Sequence, residues 1–278
     1  MSKFINPFTD LGFKRIFGQE ISKPVLIAFL NALLAEERKI VDVQFLDKEL
    51  PGEAADDRSL IYDVYCGLDS GEHIIVEMQN KSQPFFKNRS VYYISRSISR
   101  QGETGPGWRY DVKAVYMIAL LNFKRDDIST EFRTDVALMD MRHKTLFSDK
   151  MRLIYLQLPY FTKELGDCET LFEKLIYVLK HMDVLQRMPW LAQDAVFQKL
   201  ASIADVASLN KQDRATYDEN LRKYRDTIAV MEGQYLEGRE KGRAEGVLSV
   251  ARRLKQNGMD VSAIAAMTDL TAEEINKL

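Results

Sequence analysis

Two stretches rich in β-forming residues, 60–68 and 73–79, are separated by Asp69-Ser70-Gly71, which is typical of a tight hairpin turn. This short spacing predicts two antiparallel strands. Each strand carries one acidic residue in an otherwise apolar run, Asp63 in the first and Glu77 in the second. A turn centred on Ser70 pairs residues whose numbers add up to 140, so Asp63 lies opposite Glu77 with β-carbons about 5 Å apart.

Two carboxylates at that distance repel each other, and their burial in a sheet is costly unless a cation or a donor offsets the charge. A divalent metal ion resolves this conflict, and hard oxygen ligands favour Mg²⁺ or Mn²⁺. Such an ion serves phosphodiester cleavage. Two alternatives remain open. Asp63 pairs with Arg58, Arg109 or Lys113 while Glu77 lies on a wet face, or a turn centred between Ser70 and Gly71 removes the pairing.

The remaining chain up to residue 165 alternates between helical and strand-like patterns. Helices are predicted within 6–18 and over 23–35 and 84–101. Further strands are predicted over 40–50, 112–122, 131–140 and 151–158, and the nearly continuous apolar run at 112–122 indicates a central strand. This order predicts an α/β domain with a mixed central sheet flanked by helices.

Beyond residue 165 the strand signal disappears, and helices are predicted over 169–182, 191–207 and 214–231. We therefore expect three segments: a domain over 1–165, a helical region over 166–232, and a glycine-punctuated charged stretch with a short helical tail over 233–278. Glycines 233, 238, 242 and 246 predict either a weak helix or a flexible connector. The last helix opens with a capping box at Thr271 and is acidic at Glu273 and Glu274. Acidic residues at the start of a DNA-recognition helix would repel phosphate, so oligomerisation or packing is favoured over DNA binding for this tail.

Composition narrows the function classes. The formal net charge is −2, so any nucleic-acid binding must come from a local patch. Such a patch is predicted on the helix after Pro84, where Arg89, Tyr93, Arg96 and Arg100 recur at spacings of four, three and four; a solvated helix face is the alternative. The two cysteines and three scattered histidines make zinc chemistry a poor prediction. No apolar run suits a membrane helix or a signal peptide, so we expect a cytoplasmic protein.

Several of these stretches resemble one known family. They are 6–18, 61–66 (Ile-Tyr-Asp-Val-Tyr-Cys), 75–79 (Ile-Val-Glu-Met-Gln), 89–93 (Arg-Ser-Val-Tyr-Tyr), the glycine-rich tail and its end at 264–275. They resemble the recombination-promoting nuclease and transposase-like branch of the PD-(D/E)XK superfamily. The resemblance implies a restriction-endonuclease-like core over 1–165, a metal-dependent DNA endonuclease that uses Mg²⁺ or Mn²⁺, and a link to recombination or mobile elements.

The resemblance also assigns residues. Asp63 matches the first acid of the motif and Glu77 the second, both as metal ligands. Gln79 stands where the superfamily commonly has lysine, and an amide orients water or phosphate but adds no positive charge. Lys81 supplies that charge if the strand continues on the same face; otherwise it is a solvated turn residue.

Asp10 resembles the acid contributed by the first helix of these nucleases, or is the N-cap of a helix beginning at Leu11. Lys14 contacts phosphate or forms an i,i+4 pair with Asp10. The leading hypothesis is thus a DNA endonuclease. A catalytically weak or inactive DNA-binding scaffold with the same fold is the alternative, and a helical adaptor acting through 166–278 is a third. Self-association is expected through the C-terminal helical region.

Overall fold

A computed structural model describes residues 2–35, 37–50, 60–103, 105 and 107–278. The chain divides into two compact units, Met1–Tyr224 and Arg225–Leu278. Arg58, one of the partners predicted for Asp63, lies outside the described residues.

The first unit is built on a mixed six-stranded sheet with the strand order β1-β4-β5-β6-β8-β7. Strands β5, β6 and β8 run parallel to one another, and the remaining pairs are antiparallel. A separate two-stranded ribbon joins β2 and β3. The strands are β1 (Val43–Phe45), β2 (Glu49–Leu50), β3 (Leu60–Ile61), β4 (Val64–Leu68), β5 (His73–Gln79), β6 (Val115–Leu121), β7 (Arg133–Met139) and β8 (Leu146–Gln157).

The central position predicted for the apolar run at 112–122 is confirmed, because β6 pairs on both edges and all seven of its residues are buried. Strand β8 begins at Leu146, five residues before the predicted start. Its first residues pair with the end of edge strand β7, where Leu146 faces Met139. Leu146 and Phe147 are both exposed, so this end of the hairpin lacks the alternating pattern that marks a half-buried strand.

Helices cover both faces of the sheet and continue beyond it. They are α1 (Asp10–Phe17), α2 (Lys23–Leu33), α3 (Phe86–Ser99), α4 (Leu171–His181), α5 (Ala195–Ala204), α6 (Lys211–Gln256), α7 (Val261–Thr268) and α8 (Ala272–Asn276). The glycine-punctuated stretch at 233–246 lies within α6, so the structure has the helix and not the flexible connector.

Alternation along β5 creates two apolar layers. Ile74 and Val76 belong to the larger core, which also contains Phe13 of α1 and Phe29 of α2. Ile75 points the other way, into a second core against α3. Helices α4 and α5, from the region predicted as an appended helical segment, pack on α1 and α2 in the larger core. Strand β5 is therefore covered on both sides.

The second unit has a small core of its own, formed by Ala251, Ile264 and Ile275. None of the helices in the described residues combines the length and the hydrophobicity that a transmembrane span requires. The predicted α/β architecture, a mixed sheet flanked by helices with further helices towards the C-terminus, is confirmed.

Candidate metal centre

The hairpin that carries the two acids has the predicted register. Val64 faces Val76 and Cys66 faces Ile74, so the numbers of facing residues add up to 140. Gly71 in the turn has a φ of 93°, a left-handed conformation that glycine adopts without strain. The alternative in which the turn is centred between Ser70 and Gly71 is therefore wrong.

Asp63 directly precedes β4, and Glu77 lies near the end of β5. The backbone N–H of Asp63 donates to Oε1 of Glu77 at 3.2 Å. The Asp63 carboxylate in turn accepts from the backbone N–H of Met78, which is 2.8 Å from Oδ2. Each acid is thus held by the backbone of the neighbouring strand, and the two side chains meet at one end of the hairpin.

This end of the hairpin is a poor place for two negative charges. Glu77 is only 3% exposed, so it does not lie on a wet face. Burial and the charge of Asp63 raise the pKa of Glu77 to about 8. Burial also raises the pKa of Asp63, and the charged side chains that act on it belong to Lys14, Asp10 and Arg89. A buried acidic pair of this kind requires either a proton or a cation.

Gln79 lies on the same strand as Glu77, two residues further along. Its Nε2 donates to Oε2 of Glu77 over 3.4 Å, so its amide reaches the acidic pair. Lys81 is exposed and lies beyond the end of β5 at Gln79. Lys81 is expected to replace the missing lysine only if the strand continues past it. Because β5 ends at Gln79, this condition is not met.

Arg89 brings a positive charge to the acids from α3. Its guanidinium lies 5.4 Å from the ring centres of both Phe86 and Tyr93, and Nη1 donates to Oε1 of Gln83 at 2.7 Å. Its Nε atom is buried and has no hydrogen-bond partner among the described residues. The Arg89 charge opposes the rise in pKa that burial causes at both Asp63 and Glu77. The first arginine of the predicted basic stripe is thus close enough to both carboxylates for its charge to lower their pKa values.

The other residues of the stripe also lie on α3 or at its end. Tyr93 and Arg96 are half-buried on the helix, and the backbone oxygen of Tyr93 accepts from the Tyr62 hydroxyl at 3.0 Å. Arg100 is exposed and forms the C-cap. Tyr93 is close enough to the acids that, after the effect of burial, the charges of Glu77 and Asp63 raise its pKa. Arg96 and Arg100 follow further along the helix.

Helix α1 begins at Asp10, and its N-cap is Thr9, whose hydroxyl accepts from the Gly12 N–H at 3.0 Å. The alternative in which Asp10 is the N-cap is therefore wrong. The predicted i,i+4 pair exists, because Nζ of Lys14 lies 2.5 Å from Oδ1 of Asp10. Both charges are close enough to Asp63 to act on its pKa, after the dominant effect of burial.

Asp10 and Asp63 share a small pocket of about 120 Å³ that sequence reasoning did not find. Its lining is Phe8, Thr9, Asp10, Phe13, Asp63, Met78 and Asn80. Asn80 follows Gln79 directly, and its Nδ2 donates to the backbone oxygen of Phe8 at 2.6 Å. No pattern in the sequence marks this asparagine, because its partner lies 72 positions away along the chain.

Among the residues that the structure describes, no group of three or more histidine, cysteine, aspartate or glutamate side chains could hold a metal ion. Any cation at Asp63 and Glu77 therefore needs further oxygen ligands from amides, backbone carbonyls, water or phosphate. The two cysteines, Cys66 and Cys168, are both buried and have free thiols.

A mixed sheet flanked by helices, with an acidic pair where β4 meets β5, defines a restriction-endonuclease-like nuclease fold. Over residues 7–234, well over half of its 278 residues, the chain matches the family described as PD-(D/E)XK nuclease family transposase. The chain belongs to this family, which confirms the resemblance seen in the sequence. Comparisons with curated proteins and with solved structures found no significant match. Nucleases of the PD-(D/E)XK type generally use divalent metal ions.

Proposed function

We propose that the protein is a Mg²⁺-dependent DNA endonuclease that hydrolyses phosphodiester bonds. The observation that carries this proposal is the pairing of Asp63 and Glu77, two acids that meet at one end of a hairpin with Glu77 almost fully buried. Membership of a nuclease family supports the same reaction class.

The donor set fits a hard divalent cation. Carboxylate oxygens are the ligands that Mg²⁺ prefers, and Mn²⁺ accepts the same set. A cation at Asp63 and Glu77 would offset both the cost of burial and the repulsion from Asp63, the two effects that raise the pKa of Glu77. When bound, it would supply Lewis-acid chemistry at a phosphate and an attacking water.

The remaining site residues have separate proposed roles. Asp10, from α1, shares a pocket with Asp63 and acts on the cation through water and not as a third direct carboxylate ligand. Gln79 orients the water or a phosphate oxygen through its amide. Arg89 supplies the positive charge that Gln79 lacks, because its guanidinium acts on both acids from α3. Positive charge aimed at developing negative charge on phosphate stabilises the transition state.

DNA binding is proposed along α3. Arg89, Tyr93, Arg96 and Arg100 run from the acidic pair to the end of the helix. Arginines spaced in this way suit a phosphate backbone, and their local charge compensates for the net charge of −2 on the whole chain. The family description, which includes transposase, supports a setting in recombination or mobile elements.

A second candidate is a DNA-binding scaffold that keeps the fold but cleaves weakly or not at all. Gln79 in the place of a lysine favours it. The two functions separate on supercoiled plasmid DNA incubated with the full chain and Mg²⁺, with a chelator as the negative condition. The test variants are Asp63→Asn and Glu77→Gln, and the control is Asp111→Asn, an exposed acid that pairs with Lys113.

The endonuclease proposal expects metal-dependent nicking or cutting that both test variants lose by at least about 100-fold, while the control keeps it. Cleavage that is unchanged in both test variants refutes the site. DNA binding without cleavage under any metal condition supports the scaffold.

We also propose that the second unit mediates self-association. Tyr235 and Leu236 on α6 and Met267 in α7 are large, apolar and more than half exposed. Light scattering on the full chain tests this. A Leu236→Glu variant should be smaller than the unmodified protein, whereas Leu165→Glu, at an exposed leucine of the first unit, should not differ. A monomeric unmodified chain would rule the proposal out.

A further inference from the structure

The Asn80 amide has an orientation fixed by chemistry. A backbone carbonyl only accepts hydrogen bonds, so the atom that lies 2.6 Å from the Phe8 oxygen must be Nδ2. The other amide atom is therefore the oxygen, Oδ1. It is buried and has no hydrogen-bond partner among the described residues. A buried acceptor of this kind is costly unless a ligand or a donor satisfies it.

The pocket around Asn80 holds acceptors and few donors. Asp10 and Asp63 contribute carboxylates, which only accept when ionised, and the Asp10 carboxylate is also ion-paired with Lys14 at the edge of the site. The Thr9 hydroxyl donates to the backbone oxygen of Asn6, and the Met78 N–H donates to Asp63. Both donors are therefore already used. Residues with carboxylate, hydroxyl and amide oxygens thus line one space of about 120 Å³, and such a set of oxygen-bearing residues suits a hard cation.

We propose that Asn80 is a cation-binding residue, with Oδ1 as a neutral oxygen ligand beside Asp63 and Asp10. The cation is of the hard divalent class, Mg²⁺ or Mn²⁺. Asp63 lies between two groups of site residues, with Glu77, Gln79 and Arg89 in one and Asp10 and Asn80 in the other. This inference rests on the proposed metal site and adds a ligand from the segment directly after β5.

The test is the dissociation constant of Mn²⁺, measured by titration calorimetry on the full chain without DNA. Asn80→Ala removes both the ligand and the bond to Phe8. Asn80→Asp also loses that bond but keeps an oxygen. We expect Asn80→Ala to weaken Mn²⁺ binding about 10-fold or more, and Asn80→Asp to bind at least as tightly as the unmodified chain. The control is Asn122→Ala, at an amide that donates to the Tyr224 hydroxyl.

Thermal unfolding without metal separates ligation from structure. If the only role of Asn80 is its hydrogen bond to the backbone of Phe8, both Asn80 variants should lower the melting temperature of the metal-free protein equally. They should then leave the dissociation constant of Mn²⁺ unchanged, and this result would overturn the inference. Asp63→Asn distinguishes this failure from failure of the proposed function. If Asp63→Asn abolishes Mn²⁺ binding and Asn80→Ala does not weaken it, only the Asn80 role is wrong. If Asp63→Asn leaves Mn²⁺ binding unchanged, the whole metal site is wrong.

Discussion

The backbone N–H of Asp63 donates to the Glu77 carboxylate, and the Asp63 carboxylate accepts from the residue after Glu77. Each acid is therefore positioned by the backbone of the other strand and not by a flexible surface side chain. An arrangement of this kind holds its geometry before any cation binds, which is the requirement for a preorganised site.

The buried acid makes the stability of the metal-free protein depend on pH. The pKa of Glu77 rises from its ordinary value of 4.5 to about 8 on folding, mainly through burial. Between these values the folded state retains a proton that the unfolded state has released. The contribution of Glu77 to the free energy of unfolding should therefore be highest below pH 4.5 and should fall as pH approaches 8. The expected fall is a few kcal/mol, the order of magnitude that corresponds to the rise in the pKa of Glu77.

Urea unfolding at several pH values between 5 and 8.5, with a chelator present, measures this effect. Glu77→Gln should flatten the decline, and so should added Mg²⁺, which replaces the proton at the site. Glu131→Gln, at an exposed glutamate, is the matched control and should keep the full decline. A Glu77→Gln variant with the same pH dependence as the unmodified protein would contradict the prediction.

Asp63 also has a structural role that is separable from its charge. Asp63→Ala leaves the Met78 N–H without its acceptor, so it should lower the free energy of unfolding by about 1–3 kcal/mol. Asp63→Asn keeps an acceptor oxygen and should stay within about 1 kcal/mol of the unmodified chain. Denaturant unfolding of the two variants under metal-free conditions checks this. Equal losses in both variants would show that charge, and not the hydrogen bond, holds the loop.

The sequence was enough to predict how the two acids meet, because both determinants are local. The turn residues set the register, and the two-residue alternation of the strands then fixed which residues face each other. The central position of β6 followed from its continuous apolar run for a similar reason. Local patterns of this kind need no knowledge of the rest of the fold.

Asn80 could not be predicted, because its importance comes from a contact with Phe8 far away along the chain. The role of Arg89 is a similar case. Its helical spacing indicated a surface stripe, yet the fold buries its Nε and brings its charge close enough to act on the pKa of both acids. The glycines of α6 left two alternatives open in the sequence, a weak helix and a flexible connector, because glycine is unfavourable in helices. The structure shows that they are tolerated within a helix of 46 residues.

Gly12 is a further position that the fold explains. A β-carbon there would clash with the backbone oxygen of Asn6 and lie 2.6 Å from the Thr9 hydroxyl oxygen. Gly12→Ala should therefore disturb the cap that sets the start of α1 and should destabilise the protein by about 1–3 kcal/mol. Gly238→Ala is the control, because its added β-carbon meets no atom within 4 Å. It should be neutral or stabilising by up to about 1 kcal/mol in thermal unfolding. A harmless Gly12→Ala would mean that the cap is not as tight as its contacts indicate.

Gln79 brings no positive charge to the acidic pair. If Arg89 supplies it, Arg89→Met, which keeps most of the apolar side chain between Phe86 and Tyr93, should lower the single-turnover cleavage rate at saturating DNA by about 100-fold or more. Adding Gln79→Lys to that variant should restore at least about 10-fold, because a lysine beside Glu77 replaces the lost charge. Arg100→Met, at an exposed arginine, should weaken DNA binding but leave the saturated rate nearly unchanged. If Gln79→Lys does not raise the rate of the Arg89→Met variant, the two positions do not share one electrostatic role, and Arg89 acts only as a DNA contact.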